Sequence, residues 1–120
     1  IRRVVQKYLT PARRTRVENV LVEARLSDGT VGWGECAPLS AFSPETQASA
    51  LEALRGAAGA FEGRDASRLA PLARLCAEAF VGHPSVRAGV EMALLDAWAK
   101  RRGIPLWEWF GGASTSVAWI

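Results

Sequence analysis

Residues 84–112 read PSVRAGVEMALLDAWAKRRGIPLWEWFGG, and this stretch decides the fold. Its apolar residues recur at the three-and-four spacing of one helical face, at Val86, Val90, Ala93, Leu94, Ala97 and Trp98. Pro84 suits the first turn of a helix, and Gly103 after a basic run suits its C-terminus. The pattern predicts a long helix from Pro84 to just before Gly103, and then a short helical turn from Pro105 to Phe110.

A second informative stretch lies upstream, where residues 28–38 read DGTVGWGECAP. The alternation from Val17 to Leu26 predicts a strand, residues 27–30 supply a turn, and Val31 to Glu35 predicts the return strand of a hairpin. A first strand is suggested by Val4, Val5 and Tyr8. These segments together predict a small antiparallel sheet of about three strands.

Two glycines, Gly32 and Gly34, interrupt the return strand. Glycine inside a strand weakens pairing but permits a bulge or a close neighbour. Because no helix opens at this point, the glycines do not indicate a phosphate-binding loop.

Two further helices are predicted between the hairpin and residue 84. Ser43 is expected to cap the first, with Pro44 in its first turn and Glu45 favouring the positive end of its dipole, and this helix runs to about Phe61. Asp65 is expected to cap the second in the same way. Its apolar stripe is formed by Leu69, Leu72, Cys76, Ala79 and Phe80, and residues 82–84 end it. Strands followed by helices indicate the α+β class.

The sequence resembles the enolase superfamily, in particular its mandelate racemase and muconate lactonizing enzyme branch. The resemblance lies in residues 84–112, in residues 28–38 and in the run Ser43-Pro44-Glu45-Thr46. The resemblance implies that residues 1–112 form the N-terminal capping domain of that family. It also implies that residues 113–120 enter a TIM-type β/α barrel and begin its first strand. Trp107, Trp109 and Trp119 are then expected to be covered by barrel helices.

The same resemblance implies a chemistry that this chain does not carry by itself. Family members remove a proton next to a carboxylate with a Lys or His base, and Mg²⁺ stabilises the negative charge that develops. The Mg²⁺ ligands and the bases are expected on barrel strands, so no catalytic or metal-binding residue is assigned in this chain. Glu91 and Asp96 are expected instead to serve contacts between helices or domains.

What the resemblance implies for this chain is a lid that meets the substrate. Two loops, at about Leu9 to Thr15 and Cys36 to Ser43, are expected to close over the mouth of the barrel. In the first loop Arg13 or Arg14 would meet an anionic group of a small carboxylate-containing substrate. An apolar wall would be formed by Leu39, Ala41 and Phe42. Solvated arginines, and packing of Phe42 against the first helix, are the alternative interpretations.

Length and composition fit this assignment. A chain of 120 residues builds one modest core, whereas a barrel needs roughly 250. Its 49% hydrophobic and 22% charged residues are ordinary for a soluble domain, and no run approaches the roughly 20 apolar residues of a membrane span. We expect a cytoplasmic protein without membrane partners and a homo-oligomeric parent. Cys36 and Cys76 lack metal-ligand spacing and are expected to be reduced, partly buried thiols.

The net charge of +3 raises one alternative, a nucleic-acid-binding module. The basic residues near the N-terminus are Arg2, Arg3, Lys7, Arg13, Arg14 and Arg16. Interleaved aromatic residues are few there, so a solvated strand edge or a domain interface explains the charges as well, and no nucleic-acid partner is predicted.

Three functions remain open at this stage. The favoured one is the capping domain of a Mg²⁺-dependent isomerase, namely a cycloisomerase, racemase or dipeptide epimerase. The second is the same fold in a lyase, such as an acid-sugar dehydratase or o-succinylbenzoate synthase. The third is a free-standing binding module without enzyme activity.

Overall fold

In the computed structural model of this protein, the strands come first in the chain and the helices follow. The structure describes the backbone of residues 2–6, and residues 17–39 and 43–112 in full. The elements are β1 (Arg2–Gln6), β2 (Val17–Arg25), β3 (Val31–Cys36), α1 (Gln47–Phe61), α2 (Leu69–Ala79), α3 (Pro84–Arg102) and α4 (Leu106–Trp109). This order confirms the predicted α+β fold. Tyr8 and the barrel strand predicted in residues 113–120 lie outside the described residues.

The three strands form one antiparallel sheet in the order β1-β2-β3. Val4 lies opposite Asn19 in the first pair, and Leu21 lies opposite Glu35 in the second. At the hairpin turn the Leu26 amide donates to the Thr30 carbonyl at 2.8 Å. The hairpin predicted from residues 17–35 is confirmed.

One face of the hairpin carries the core. Alternation in β2 and β3 turns Val20, Val22 and Cys36 toward the helices, and these residues are 0%, 7% and 0% exposed. The helices contribute the rest of the cluster: Ala50, Leu51, Leu54, Cys76, Phe80, Val86, Val90 and Ala93. Leu72 is also buried, so the apolar stripe predicted for α2 does face the interior.

The close neighbour allowed by Gly32 and Gly34 is α3. A Cβ atom on Gly34 would collide with the carbonyl oxygen of Gly89, and one on Gly32 would collide with that of Ala93. The absence of side chains at these positions therefore lets the α3 backbone lie directly on β3. Such an approach is a recognised use of glycine within a strand.

Side chains of α3 also close the outer edge of β3. The Trp33 amide donates to Asp96 Oδ2 at 2.8 Å, and Lys100 Nζ donates to the Val31 carbonyl at 3.2 Å. Lys100 and Asp96 are themselves paired at 2.6 Å. An edge strand presents unpaired backbone groups, and here α3 satisfies two of them. The structure thus gives Asp96 a helix-to-strand role instead of the predicted contact between helices or domains.

The prediction that Ser43 caps α1 is wrong. The helix begins later, at Gln47, and Thr46 is its N-cap. Thr46 Oγ1 accepts from the Ser49 amide at 3.1 Å, and Ser49 Oγ accepts from the Thr46 amide at 2.9 Å, which completes a reciprocal capping box. The Ser43 hydroxyl is instead engaged with Glu45.

The prediction that Asp65 caps α2 is also wrong. Asp65 Oδ1 accepts from the amide and the hydroxyl of Ser67, at 2.9 and 2.7 Å, and so closes a turn ahead of the helix. The helix itself begins at Leu69, and its N-cap Arg68 makes no side-chain capping bond. By contrast, α3 follows its prediction closely: Pro84 lies in its first turn, and Gly103 ends it in the left-handed conformation.

Candidate functional site

A buried carboxylate, Glu45, lies where the chain returns from the hairpin and meets the start of α3. Glu45 is 3% exposed. Its Oε1 accepts from the Ser85 hydroxyl at 2.8 Å, and its Oε2 accepts from the Ser85 amide at 3.1 Å. The imidazole nitrogen His83 Nδ1 lies 3.9 Å from Oε1. Glu45 therefore caps α3, although 40 residues separate it from Ser85.

This contact corrects the predicted role of Glu45 at the N-terminus of α1. The first turn of a helix has amides without intrahelical partners and a positive dipole end, and both stabilise a carboxylate. The N-cap of α3, His83, makes no side-chain capping bond, so the remote carboxylate takes that place. Hydrogen bonds from Ser85 offset the cost of burying the charge.

The segment that follows β3 is tied to the same carboxylate. The Ser43 hydroxyl donates to Glu45 Oε2 at 3.2 Å and accepts from the Glu45 amide at 3.2 Å. The Ser43 amide donates to the Leu39 carbonyl at 3.1 Å, which closes a turn. A continuous series of hydrogen bonds thus runs from Ser85 through Glu45 and Ser43 to Leu39.

The other end of this segment, Cys36, is held by the same helix. Its thiol lies 4.0 Å from the Val86 carbonyl. A Cβ atom on Gly89 would lie 2.5 Å from Cys36 Sγ, so the strand end and the helix are in direct contact. Residues 36 and 45 are therefore both fixed on the first turns of α3.

A second polar group supports the site from the sheet. Asn19 is 6% exposed, and its side-chain nitrogen Nδ2 donates to Glu35 Oε1 at 2.7 Å. Gln47 Nε2 donates to the Asn19 carbonyl at 2.8 Å. These bonds connect β2 and β3 to the start of α1, so the elements that flank residues 37–44 are cross-linked by polar contacts.

Among the five predicted substrate-facing residues, Leu39 is the one that the structure describes. It is half-buried and begins the turn closed by Ser43. The other four, Arg13, Arg14, Ala41 and Phe42, lie outside the described residues. Their roles remain predictions, as does the first loop at Leu9 to Thr15.

Both cysteines are free, and they are fully buried rather than partly buried as predicted. Burial, with smaller contributions from Glu45 and Glu35, raises the pKa of the Cys36 thiol to about 12. Burial likewise raises the pKa of the Cys76 thiol to about 11. Because the thiolate is the reactive form, neither cysteine is suited to nucleophilic catalysis at neutral pH.

Residues 17–39 and 43–112 contain no cluster of three or more His, Cys, Asp or Glu side chains that could hold a metal ion. The described side chains thus do not fit a Mg²⁺ site, and no step is assigned to a metal here.

In the same part of the chain, no helix combines the length and apolar character needed to cross a bilayer.

A cavity of about 600 Å³ lies between the sheet, the end of α1 and the connection to α2. Core side chains such as Leu54, Phe61 and Phe80 line it. The arginines at its rim already have partners, since Arg25 pairs with Glu23 at 2.5 Å and Arg101 pairs with Asp28 at 3.2 Å. Its apolar lining does not match a small carboxylate-containing substrate.

An aromatic patch, formed by Trp107, Trp109 and Phe110, projects from α4. These residues are 42%, 43% and 65% exposed. Trp109 packs edge to face against Trp98 and Phe110, with ring centroids 5.4 and 4.8 Å apart. Large apolar side chains grouped on a surface indicate a contact with another part of a protein.

The chain matches the family model described as mandelate racemase / muconate lactonizing enzyme, N-terminal domain, over residues 4–111. This match covers nearly the whole chain, and the protein belongs to that family. The enolase-superfamily resemblance read from residues 28–38 and 84–112 is thereby confirmed.

Named relatives are mainly epimerases. An L-Ala-D/L-amino acid epimerase of Populus trichocarpa is 42% identical over 111 residues, and an aromatic dipeptide epimerase of Herpetosiphon aurantiacus is 40% identical over 99 residues. They align with 91% and 82% of this chain, which spans only 26% and 28% of their lengths. A cis-3-hydroxy-L-proline dehydratase of Roseibium aggregatum is 31% identical over 98 residues, which is 81% of this chain and 27% of that enzyme.

Solved structures agree with the fold. The dipeptide epimerase of Methylococcus capsulatus, complexed with Mg and the dipeptide L-Arg-D-Lys, superposes with a TM-score of 0.83 at 33% identity. The superposition covers 94% of this chain and 33% of that enzyme. The described part of the chain therefore has the architecture of an N-terminal domain in this family.

Sequence reasoning missed the role of Glu45 at α3. The run Ser43-Pro44-Glu45 carries the ordinary signature of a helix start, and that signal pointed to the nearest helix. The true partner, Ser85, is 40 residues away, so a local pattern does not reveal it.

Proposed function

We propose that this chain is the N-terminal capping domain of a longer Mg²⁺-dependent isomerase, and that the whole protein epimerises a dipeptide. The carrying observation is the family match over residues 4–111, joined with the epimerase names of the relatives. In this proposal the barrel follows residue 112 and contributes the bases and the metal ligands. Bound Mg²⁺ would stabilise the negative charge formed when a proton leaves the carbon beside a carboxylate.

The contribution of this domain is to bound the substrate. The half-buried Leu39, with Ala41 and Phe42, would form an apolar wall, and Arg13 or Arg14 would meet an anionic group. Closing such a wall over the reacting carbon excludes water and strengthens electrostatic interactions in the site. The hydrogen bond from the Ser43 amide to the Leu39 carbonyl supports this proposal, because a wall must be held in place to discriminate substrates.

The exposed aromatic patch supports the proposal that a further domain of the same chain packs against α4. Trp107 and Trp109 lie on the last described helix, directly before the predicted barrel entry. We propose that the barrel covers them, that the complete protein is a cytoplasmic homo-oligomer, and that it takes a small carboxylate-containing substrate. An intact mass near 40 kDa, roughly what adding about 250 residues implies, is the result expected for the natural protein.

A lyase is the second candidate, and the dehydratase relative favours it. One experiment separates the two. The protein as its gene encodes it is incubated with Mg²⁺ in deuterated water and a panel of dipeptides and hydroxylated amino acids. An epimerase incorporates deuterium at the carbon beside the carboxylate and yields the epimer, whereas a dehydratase releases water. Added EDTA should abolish either reaction, and no turnover of any carboxylate substrate would contradict the proposal.

A further inference from the structure

Glu45 joins two parts of the molecule that are far apart in sequence. On one side its carboxylate accepts from the amide and hydroxyl of Ser85 in the first turn of α3. On the other side it accepts from the Ser43 hydroxyl, and Ser43 holds the Leu39 carbonyl through its own amide. The carboxylate that caps α3 therefore also holds Ser43, and Ser43 in turn holds Leu39.

Helix α3, which holds Glu45, is itself firmly packed on the sheet. The same helix lies directly on β3 through Gly34 and Gly89, and it binds the strand edge through Asp96 and Lys100. A local cap from His83 would stabilise α3 without engaging Ser43, but His83 makes no such bond. The first turn of α3 is thus capped by Glu45, and the same contact holds Ser43 against the helix.

We propose that Glu45 is a positioning residue for substrate recognition: by fastening Ser43 to the first turn of α3, it sets the place of Leu39 in the pocket wall. The inference rests on the proposed function, because Leu39 faces a substrate only if this domain bounds the site. Glu45 is not a catalytic residue, since it is buried and its oxygens are occupied by Ser43 and Ser85.

The discriminating variant is Ser43→Ala in the protein as its gene encodes it. It removes the link between Glu45 and the turn but leaves the bonds from Ser85 to Glu45, so α3 stays capped. We expect faster hydrogen exchange at the Ser43 amide. We also expect a change of about tenfold in the ratio of kcat/KM for a bulky and a small dipeptide, carried mainly by KM, as a displaced apolar wall implies. Glu45→Gln keeps one oxygen for Ser85 and places an amide nitrogen that can donate to the Ser43 hydroxyl, so it should retain most of the wild-type preference.

The matched control is Ser49→Ala, which removes a hydroxyl from the capping box of α1. It should lower stability while leaving the Ser43 amide exchange and the substrate preference at wild-type values.

Each outcome decides the inference. Wild-type exchange in Ser43→Ala would show that Glu45 only caps α3. Faster exchange without a change in preference would show that Glu45 holds Ser43 but does not set substrate recognition, and either result would overturn the inference. A wild-type protein that turns over no substrate would refute the proposed function instead. The exchange measurement would then still decide whether Glu45 holds the turn.

Discussion

Gly34 in β3 and Gly89 in α3 bring the strand and the helix into backbone contact. A Cβ atom on Gly34 would collide with the Gly89 carbonyl oxygen and lie 2.8 Å from the Ala93 amide nitrogen. Backbone atoms on both sides leave no flexible side chain to yield. The spacing of the two elements is therefore set by the absence of a side chain.

Gly34→Ala is expected to destabilise the domain by about 1–3 kcal/mol or more, since the helix must move off the strand. Gly56→Ala is the matched control, because a Cβ atom at this α1 position meets nothing within 4 Å. That control should stabilise the domain by about 0.5–1 kcal/mol through better helix propensity. Urea unfolding measures both values, and equal effects of the two substitutions would contradict the close contact.

Asp96→Ala is expected to lower the free energy of unfolding by about 1–2 kcal/mol, because the Trp33 amide loses its acceptor and Lys100 loses its ion pair. Asp96→Asn retains an acceptor oxygen and should recover part of this loss. The ion pair is half-exposed and adds only about 0.3–0.5 kcal/mol, so the Asp96→Ala loss should persist in high salt. Denaturant midpoints at low and high salt check this, and a loss that vanished with salt would assign the effect to the ion pair alone.

The raised thiol pKa values predict alkaline destabilisation. Cys36 and Cys76 stay protonated in the folded protein up to about pH 12 and 11, whereas unfolded thiols ionise near pH 9. Above pH 9 the folded state binds more protons than the unfolded state, so stability falls as pH rises. The slope is up to about 1.4 kcal/mol per pH unit for each thiol.

A Cys36→Ala variant should show a shallower slope of stability against pH between about pH 9 and 11, whatever its absolute stability. An unchanged slope would mean that the Cys36 pKa is ordinary. In the wild type at pH 8, a thiol reagent should label both cysteines only after denaturant is added.

Leu39→Ala is expected to lower kcat/KM for a dipeptide with a large apolar side chain by about tenfold and to spare a dipeptide of small residues. Such selectivity follows if Leu39 is part of the pocket wall. Val81→Ala provides a truncation at a site that is 78% exposed, and it should change neither value. Equal losses on both substrates would remove Leu39 from the specificity surface.

Trp107→Ala is expected to loosen the docking of the capping domain on the barrel in the complete protein, because an aromatic side chain in the aromatic patch loses its buried contact. The measurement is thermal unfolding, in which an earlier or separate transition of the capping domain should appear. Trp107→Phe keeps an apolar ring and should preserve most of the docking. An unchanged melting profile in Trp107→Ala would count against this placement of the patch.

The predictions from sequence succeeded where the cause was local. The helix with its apolar period over residues 84–102, the turn at residues 27–30 and the end of the helix at Gly103 depend on neighbouring residues and were confirmed. Helix caps were predicted less well. Ser43 and Asp65 carry capping chemistry, but the Ser43 hydroxyl bonds to Glu45 and the Asp65 carboxylate to Ser67, and both partners lie before the first residue of the observed helix.

By itself, the sequence determined the class of fold, the order of its elements and the family, because periodicity and short motifs are properties of adjacent residues. Only the tertiary structure decided that Glu45 caps α3, that Asp96 and Lys100 close the edge of β3, and that Gly34 meets Gly89. Those contacts join residues that are tens of positions apart. They exist because α3 packs across β3. That packing brings together side chains and backbone groups whose hydrogen bonds and contacts no local sequence pattern predicts.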